Sequence, residues 1–254
     1  MKYVIGLDIG GTKINGIVFD GKKVLKELTI VTPKNLPEFK ISSLKIVDFL
    51  SADYKINAVG IGIAGQVDLA KGLVDHSPNI PFINKFKIAE FIFKERGFAT
   101  EADNDANCFT RAELVLGQGK QFKNFLGLTL GTGIGGGIVI EHKIYRGQNN
   151  SGAELGHMLS NGKYIESIFQ NARDARSNSQ LGLLLGDMFA SLANAFAPDA
   201  LILGGGVSTD KTRNFLPLAD KQMRKLLFNK ELKIKILVSK LKNPGALGSA
   251  LLVC

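Results

Sequence analysis

Cysteine is scarce in this chain of 254 residues, and long apolar runs are missing. Cys108 and Cys254 are its two cysteines, which argues against a disulfide framework and against a zinc site built on thiolates. No apolar stretch reaches the ~18 residues of a membrane span, and the first residues show a strand pattern rather than a signal peptide. We therefore expect a soluble, cytoplasmic protein that meets no membrane.

Runs of one charge are also missing. The net charge is +9, yet no five consecutive residues are all Lys or Arg. The dispersed charge predicts a solvated surface with mild attraction for anionic substrates, and no nucleic-acid partner. No Gly-Lys pair is followed by Ser or Thr, so a P-loop is absent as well.

What is present is a strand and helix pattern with an ordinary apolar content of 45%, which predicts a packed core in one large or two ordinary domains. Residues 3–9, 13–20 and 24–31 are typical of an antiparallel meander. Apolar spacing and flanking residues then predict helix 36–50, strand 57–65, helix 88–94, strand 98–103, a helix beginning near residue 104, helix 180–197, strands at 200–204 and 233–239, and helix 244–252.

Glycine is abundant, at 29 residues, and three glycine loops each follow a buried strand: "DIGGT", "LGTGIGGG" and "LGGGVS". One such loop would be a structural hairpin more often than a phosphate site, but three in an alternating pattern favour phosphate binding. Gly131, Gly133 and Gly136 fit the dinucleotide fingerprint, yet a strand follows them where that fingerprint needs a helix. We therefore predict strand–turn–strand phosphate loops.

The second loop repeats the first. A shift of 120 positions brings Gly11, Thr12, Ile14 and Gly16 onto Gly131, Thr132, Ile134 and Gly136. Chance remains an alternative for so short a match, but a duplicated unit explains it better. Asp8 ends the strand before the first loop, where a carboxylate would hold Mg²⁺ through water.

Five motifs, "LDIGGTKI", "NDAN", "LGTGIGGG", "GAELGH" and "ILGGGVS", stand in the order seen in ROK-type sugar kinases, which belong to the actin-like ATPase clan. The resemblance extends from residue 4 to about residue 250. It implies an α/β fold with two actin-like (ribonuclease H-like) lobes around a central cleft. The smaller lobe would take residues 1–115 plus 243–254, and the larger one residues 116–242.

The resemblance also implies roles. Asp105 would be the catalytic base, although without the resemblance an Asp at a helix start would be a cap more often. Sugar contacts would come from Asn104, Glu154, His157, Glu166 and, from the segment "SPNIPF", Asn79. Mg²⁺ would lie at Asp8. The nucleotide contacts would be Gly10, Gly11, Thr12, Lys13, Gly131, Thr132, Gly133, Gly204 and Gly205.

The sequence departs from the family after His157. Relatives carry a zinc-binding C-x-C-G-x-x-G-C segment there, whereas this chain has "MLSNGKYIES". We therefore expect ATP and Mg²⁺ as cofactors and no zinc. The expected reaction is phosphorylation of a hexose, foremost glucose at O6. An N-acetylhexosamine or fructose kinase, a non-catalytic sugar-binding regulator, ADP or polyphosphate as donor, and a homodimer remain open. The first strand begins at residue 3, so we expect no DNA-binding domain before it.

Overall fold

The computed structural model describes residues 2–254, which form two compact units. The first unit extends to Ala112 and also contains Arg146–Ser151 and Leu241–Cys254. The second unit contains Glu113–Tyr145 and Gly152–Lys240.

The strands are β1 (Tyr3–Ile9), β2 (Lys13–Phe19), β3 (Val24–Val31), β4 (Ile56–Ile63), β5 (Gln66–Asp68), β6 (Leu73–His76), β7 (Ala99–Asn104), β8 (Phe125–Leu130), β9 (Ile134–Ile140), β10 (Lys143–Tyr145), β11 (Leu159–Ser160), β12 (Lys163–Tyr164), β13 (Ala200–Gly204) and β14 (Lys235–Val238). The helices are α1 (Leu36–Ser51), α2 (Ile88–Arg96), α3 (Asp105–Val115), α4 (Ile165–Asp174), α5 (Asn178–Phe196), α6 (Gly206–Thr209), α7 (Leu216–Leu226) and α8 (Pro244–Ala250). The predicted elements are confirmed. Hairpins β5–β6 and β11–β12 and helices α4, α6 and α7 were not predicted.

The first unit is built on a sheet with the order β3-β2-β1-β4-β7. Strands β1, β2 and β3 form the predicted antiparallel meander, while β4 and β7 run parallel to β1. Parallel strands end at the same edge of a sheet, so β1, β4 and β7 bring Asp8, Ile63 and Asn104 to one edge. This edge carries the first glycine loop and the start of α3.

Small residues let α8 pack directly on the first sheet. A Cβ added at Gly60 of β4 would lie 1.8 Å from the carbonyl oxygen of Ser249, and one at Gly248 would lie 1.6 Å from that of Cys108. Only glycine permits such backbone contacts. The sequence "PGALGSA" therefore forms a helix that fits between the strands and α3.

The second unit repeats this architecture, with the order β10-β9-β8-β13-β14. Strand β8 is antiparallel to β9 and parallel to β13, as β1 is to β2 and β4. The shared topology supports the predicted duplication. Its core packs the apolar faces of α4 and α5 against the sheet, and its largest buried side chains include Phe169 and Phe189.

The two hairpins differ in one respect. Ile9 pairs with Ile14 across the first loop, but Leu130 pairs with Ile134 across the second, which is one residue shorter. Asp8 lies one residue before Ile9, and Thr129 lies one residue before Leu130. Thr129 therefore occupies in the second hairpin the position that Asp8 has in the first. The second hairpin therefore lacks a carboxylate at this position.

Candidate active site

The first glycine loop, residues 10–13, is closed by a hydrogen bond from the Gly10 N–H to the Lys13 carbonyl, at 3.0 Å. Gly11 lies against Asn79: a Cβ there would be 3.1 Å from both the Cβ and the carbonyl oxygen of Asn79. Asn79, predicted as a sugar contact, therefore lies beside the first loop. The sequence motif alone did not indicate that proximity.

Asp8 lies at the base of this loop in an environment that disfavours its charge. Burial, and next the negative charge of Asp105, raise its pKa to about 7, while Lys13 acts in the opposite direction. Asp105 is thus close enough to Asp8 for repulsion between the carboxylates. A partly buried carboxylate under such repulsion is suited to a cation, and oxygen ligands are those that Mg²⁺ prefers. Asp8 therefore fits the magnesium role that the sequence suggests.

Asn104 and Asp105 stand where β7 meets α3. The Asn104 side-chain oxygen accepts hydrogen bonds from the N–H groups of Ala106 and Asn107, at 2.9 and 3.1 Å, and its amide donates to the Gly65 carbonyl at 3.0 Å. Asn104 is thus a helix cap. One oxygen of Asp105 accepts from the Ala106 N–H at 2.9 Å, which fixes the side chain in the first turn of α3.

The neighbouring Asp103, which the sequence motifs did not single out, is fully buried. Arg146 approaches its carboxylate at 2.9 Å, and the Asn150 amide donates to it at 3.3 Å. The carboxylate also accepts the Asn104 N–H at 2.8 Å. A buried charge needs such partners, so Asp103 joins segment 146–151 to the start of α3. The polar run "ADNDAN" was the only sequence signal for it.

The second glycine loop, residues 131–133, is closed by a hydrogen bond from the Gly131 N–H to the Gly133 carbonyl, at 3.0 Å. Glu166, in the first turn of α4, accepts the N–H of Ile134 at 2.8 Å. A Cβ at Gly133 would lie 2.1 Å from the same Glu166 oxygen, whereas one at Gly131 would meet no atom within 4 Å. Glu166 therefore braces this loop.

Glu154 and His157 lie together, about half exposed, with Oε2 of the Glu 3.5 Å from Nδ1 of the His. The His157 ring contacts the edge of Tyr164, with 5.2 Å between centroids. Between them in the chain, Gly156 packs against Glu166, since a Cβ there would lie 3.2 Å from its Oε2. The structure thus gathers the predicted sugar residues of this unit around one end of α4.

The segment that follows His157 forms the hairpin β11–β12. Its turn residues Asn161 and Gly162 have φ values of 50° and 74°. Asn-Gly with positive φ at both positions is a favoured two-residue hairpin turn. Within residues 2–254, no group of three or more His, Cys, Asp or Glu side chains is arranged to hold a metal ion.

Gly204 and Gly205 stand at the end of β13, beside the second glycine loop. Gly204 pairs with Thr129, and Gly205 has a φ of 84°. A Cβ at Gly205 would lie 2.4 Å from the Leu130 carbonyl oxygen. This conformation requires glycine and brings the start of α6 next to the second loop.

Both units therefore have the strand order of the actin-like ATPase fold, with a glycine hairpin between their first two strands. The ROK family model matches residues 4–175, which is more than half of the chain. The chain belongs to the ROK family.

Three relatives illustrate the similarity. A Thermotoga maritima glucokinase is 37% identical over 163 residues, which cover 61% of this chain and 50% of that protein. The N-acetylgalactosamine kinase AgaK of Shewanella sp. is 30% identical over 85% of this chain and 86% of its own. A ROK family glucokinase from Streptomyces griseus, solved with glucose and AMPPNP, covers 98% of both chains, at 27% identity and a TM-score of 0.88.

The chain spans about half the length of the glucokinases that it matches first. None of the helices within residues 2–254 is long and apolar enough to cross a membrane.

Proposed function

We propose that this protein is an ATP-dependent hexose kinase that phosphorylates glucose at O6. The observation that carries the proposal is the position of Asp8 and Asp105 at one edge of the sheet that also holds the first glycine loop, where burial and the charge of Asp105 raise the pKa of Asp8. Asp105 as the base and Asp8 as the carboxylate for Mg²⁺ would then act at the same edge. ROK membership and the similarity to glucokinases support the same conclusion.

Asp105 would be the general base. Its ionised carboxylate accepts the proton of the sugar hydroxyl while that oxygen forms a bond to the γ-phosphorus of ATP, and the bond to the β,γ-bridging oxygen breaks to release ADP. The transition state of phosphoryl transfer is loose, so positioning and charge neutralisation provide most of the acceleration. The hydrogen bond from the Ala106 N–H to Asp105 holds the base in place.

Asp8 would hold Mg²⁺ through water, and the ion would neutralise charge on the phosphate oxygens. The loops around Gly11 and Gly131, with Thr12, Thr132, Lys13 and the Gly204–Gly205 turn, would contact the nucleotide. Glu154, His157 and Asn104 would bind sugar hydroxyls. Glu166 and Asn79 would add to that set, although each already contacts a glycine loop.

The test is transfer of phosphate from ATP to a panel of hexoses by wild type, Asp105→Asn and Asp105→Ala. We expect wild type to favour glucose, and the loss of the base to lower kcat by about 10²- to 10⁴-fold. Asp53→Asn, which changes an exposed carboxylate, is the matched control and retains activity. Equal activity of wild type and both Asp105 variants would exclude the proposed base.

A second candidate is an N-acetylhexosamine kinase. The similarity to AgaK, which extends over most of both chains, favours it specifically. The same panel therefore includes N-acetylgalactosamine, N-acetylglucosamine and N-acetylmannosamine, and the highest kcat/KM identifies the substrate. Binding of a sugar without transfer to any acceptor would instead indicate a sugar-binding regulator. We propose the cytoplasm as the location, since ATP and hexoses meet there.

A further inference from the structure

One side chain, that of Arg173, binds carbonyl groups of the second glycine loop. Nη1 of Arg173, in the last turn of α4, donates to the Gly131 carbonyl at 3.1 Å and also to the Thr132 carbonyl. Arg173 is itself fixed, since its Nε donates to Asp174 at 2.8 Å. These contacts determine the orientation of two consecutive peptide groups of the loop.

Peptide geometry turns this orientation into a consequence for ligand binding. In a trans peptide, the carbonyl of one residue and the N–H of the next point in opposite directions. When Arg173 holds the carbonyls of Gly131 and Thr132, the N–H groups of Thr132 and Gly133 must point away from Arg173. Neither N–H makes a hydrogen bond within the described part of the chain, residues 2–254. Both are therefore available to an anion.

The first glycine loop is held in the same way by a different residue. The hydroxyl of Thr32 donates to the Gly10 carbonyl at 2.6 Å, and its backbone N–H donates to the Thr12 carbonyl at 3.1 Å. Thr32 follows β3, and its side chain is buried. The peptide N–H of Gly11 must therefore point away from Thr32, as those of the second loop point away from Arg173.

Helix α4 braces the second loop at both ends. Glu166 in its first turn holds the Ile134 N–H, and Arg173, seven residues later and on the same face, holds the loop carbonyls. The Arg173 carbonyl accepts a hydrogen bond from Arg213 at 3.0 Å, which anchors the end of the helix. The loop conformation is thus set by α4 rather than by the glycines alone.

We propose that Arg173 and Thr32 are positioning residues for the phosphoryl donor. Each residue binds the carbonyls of one glycine loop and thereby presents the loop N–H groups to the oligophosphate. Neither needs to touch the ligand. The proposal rests on the proposed kinase activity, because it assigns the two loops to the donor rather than to the sugar.

The first test compares Arg173→Met, which retains the aliphatic stem but removes every donor, with Arg173→Lys. We expect Arg173→Met to raise KM for ATP about tenfold or more and to leave KM for the sugar within about twofold. Arg173→Lys retains one donor group and should fall between wild type and Arg173→Met. The matched control is Arg176→Met, which removes the same charge nearby from a side chain that contacts Thr212 rather than the loop.

The outcomes separate positioning from general effects. An equal rise in KM for ATP in Arg173→Met and Arg176→Met would mean that charge alone matters, and would overturn the role of Arg173. Parallel losses of sugar and ATP affinity with a lower Tm would indicate a merely structural residue, which also overturns it. A change confined to the donor supports it.

The second test concerns Thr32. Thr32→Val has nearly the same shape but lacks the hydroxyl, so we expect a several-fold higher KM for ATP, from the loss of one hydrogen bond. Thr32→Ser restores the hydroxyl and should return KM to the wild-type value. Thr29→Val is the control, because the Thr29 hydroxyl donates to Asn15 and not to the loop. Equal KM values for Thr32→Val and Thr29→Val would refute the role of Thr32.

Calorimetric titration with Mg-ATP in the absence of sugar distinguishes failure of this inference from failure of the kinase proposal. If wild type binds Mg-ATP but phosphorylates no sugar, the kinase proposal fails while the variants still test the loops by their Kd. If the Arg173→Met and wild-type Kd values agree, the inference fails whatever the activity.

Discussion

At the scale of single residues, the buried carboxylate of Asp8 lowers the stability of the folded protein at neutral pH, at a position that we propose for Mg²⁺ binding. Burial and the charge of Asp105 raise its pKa to about 7, whereas the pKa of an Asp in an unfolded chain is about 3.9. Between these values the folded state keeps a proton that the unfolded state has released. The contribution of Asp8 to stability therefore falls as pH rises from about 4 to about 7 and then levels off.

We accordingly expect Asp8→Asn to be more stable than wild type in the absence of ligand. The gain should be close to zero near pH 4 and reach about 1–3 kcal/mol at pH 8, after allowance for partial solvent screening. Urea unfolding at a series of pH values measures it. If the difference in the free energy of unfolding between Asp8→Asn and wild type does not vary with pH, the raised pKa is contradicted. We also expect the variant to lose phosphoryl transfer.

Gly131 and Gly133 lie in the same loop, but a glycine is required for a different reason at each position. Space is open around Gly131, while a Cβ at Gly133 would displace the Glu166 carboxylate. We expect Gly131→Ala to raise KM for ATP and to change the free energy of unfolding by less than about 0.5 kcal/mol.

Gly133→Ala should instead lower the free energy of unfolding by about 1–3 kcal/mol, because the Ile134 N–H loses its acceptor. Denaturant unfolding and donor kinetics on both variants test the contrast. If Gly131→Ala binds ATP as wild type does, no phosphate approaches that glycine, and the second loop is a structural hairpin.

At the scale of elements, helix α8 depends on small residues for its packing. The backbone of Cys108 cannot yield to a side chain at Gly248, where a Cβ would lie 1.6 Å from its carbonyl oxygen. We expect Gly248→Ala to lower the free energy of unfolding by about 3 kcal/mol or more.

Gly206→Ala is the matched control for this prediction, because Gly206 is also helical and its Cβ would meet no atom within 4 Å. It should leave stability unchanged or slightly higher, since Ala is the better helix former. If the two alanines have the same effect on urea unfolding, α8 does not pack on α3 as closely as the structure indicates.

Helix α4 shows where sequence patterns fail. Its residues "IESIFQNARD" put Glu166 and Arg173 on one face and Phe169 in the core, but ten residues without a strong cap give little signal. Glu166 was predicted as a sugar contact, and its hydrogen bond to Ile134 was not predictable, because no local pattern encodes a partner 32 positions away.

At the scale of the whole molecule, long apolar strands and the repeated glycine hairpin made the α/β class and the sheet elements predictable. The polar residues at 104 and 105 also indicated the start of α3, although the cap proved to be Asn104 rather than Asp105. The network around Asp103 was not predictable, because its partners Arg146 and Asn150 are remote in sequence and have ordinary surface residue types. Side chains that bind the carbonyl groups of the glycine loops, such as those of Arg173 and Thr32, belong to no recognisable sequence motif and were not predictable.

Segment Arg146–Ser151 has a further consequence. Through Asp103 it belongs to the first unit, although the chain on either side of it belongs to the second, and Leu241–Cys254 returns to the first unit again. Neither unit corresponds to one uninterrupted stretch of coding sequence. A gene fragment that encodes either unit alone would therefore have to join separate stretches of the chain.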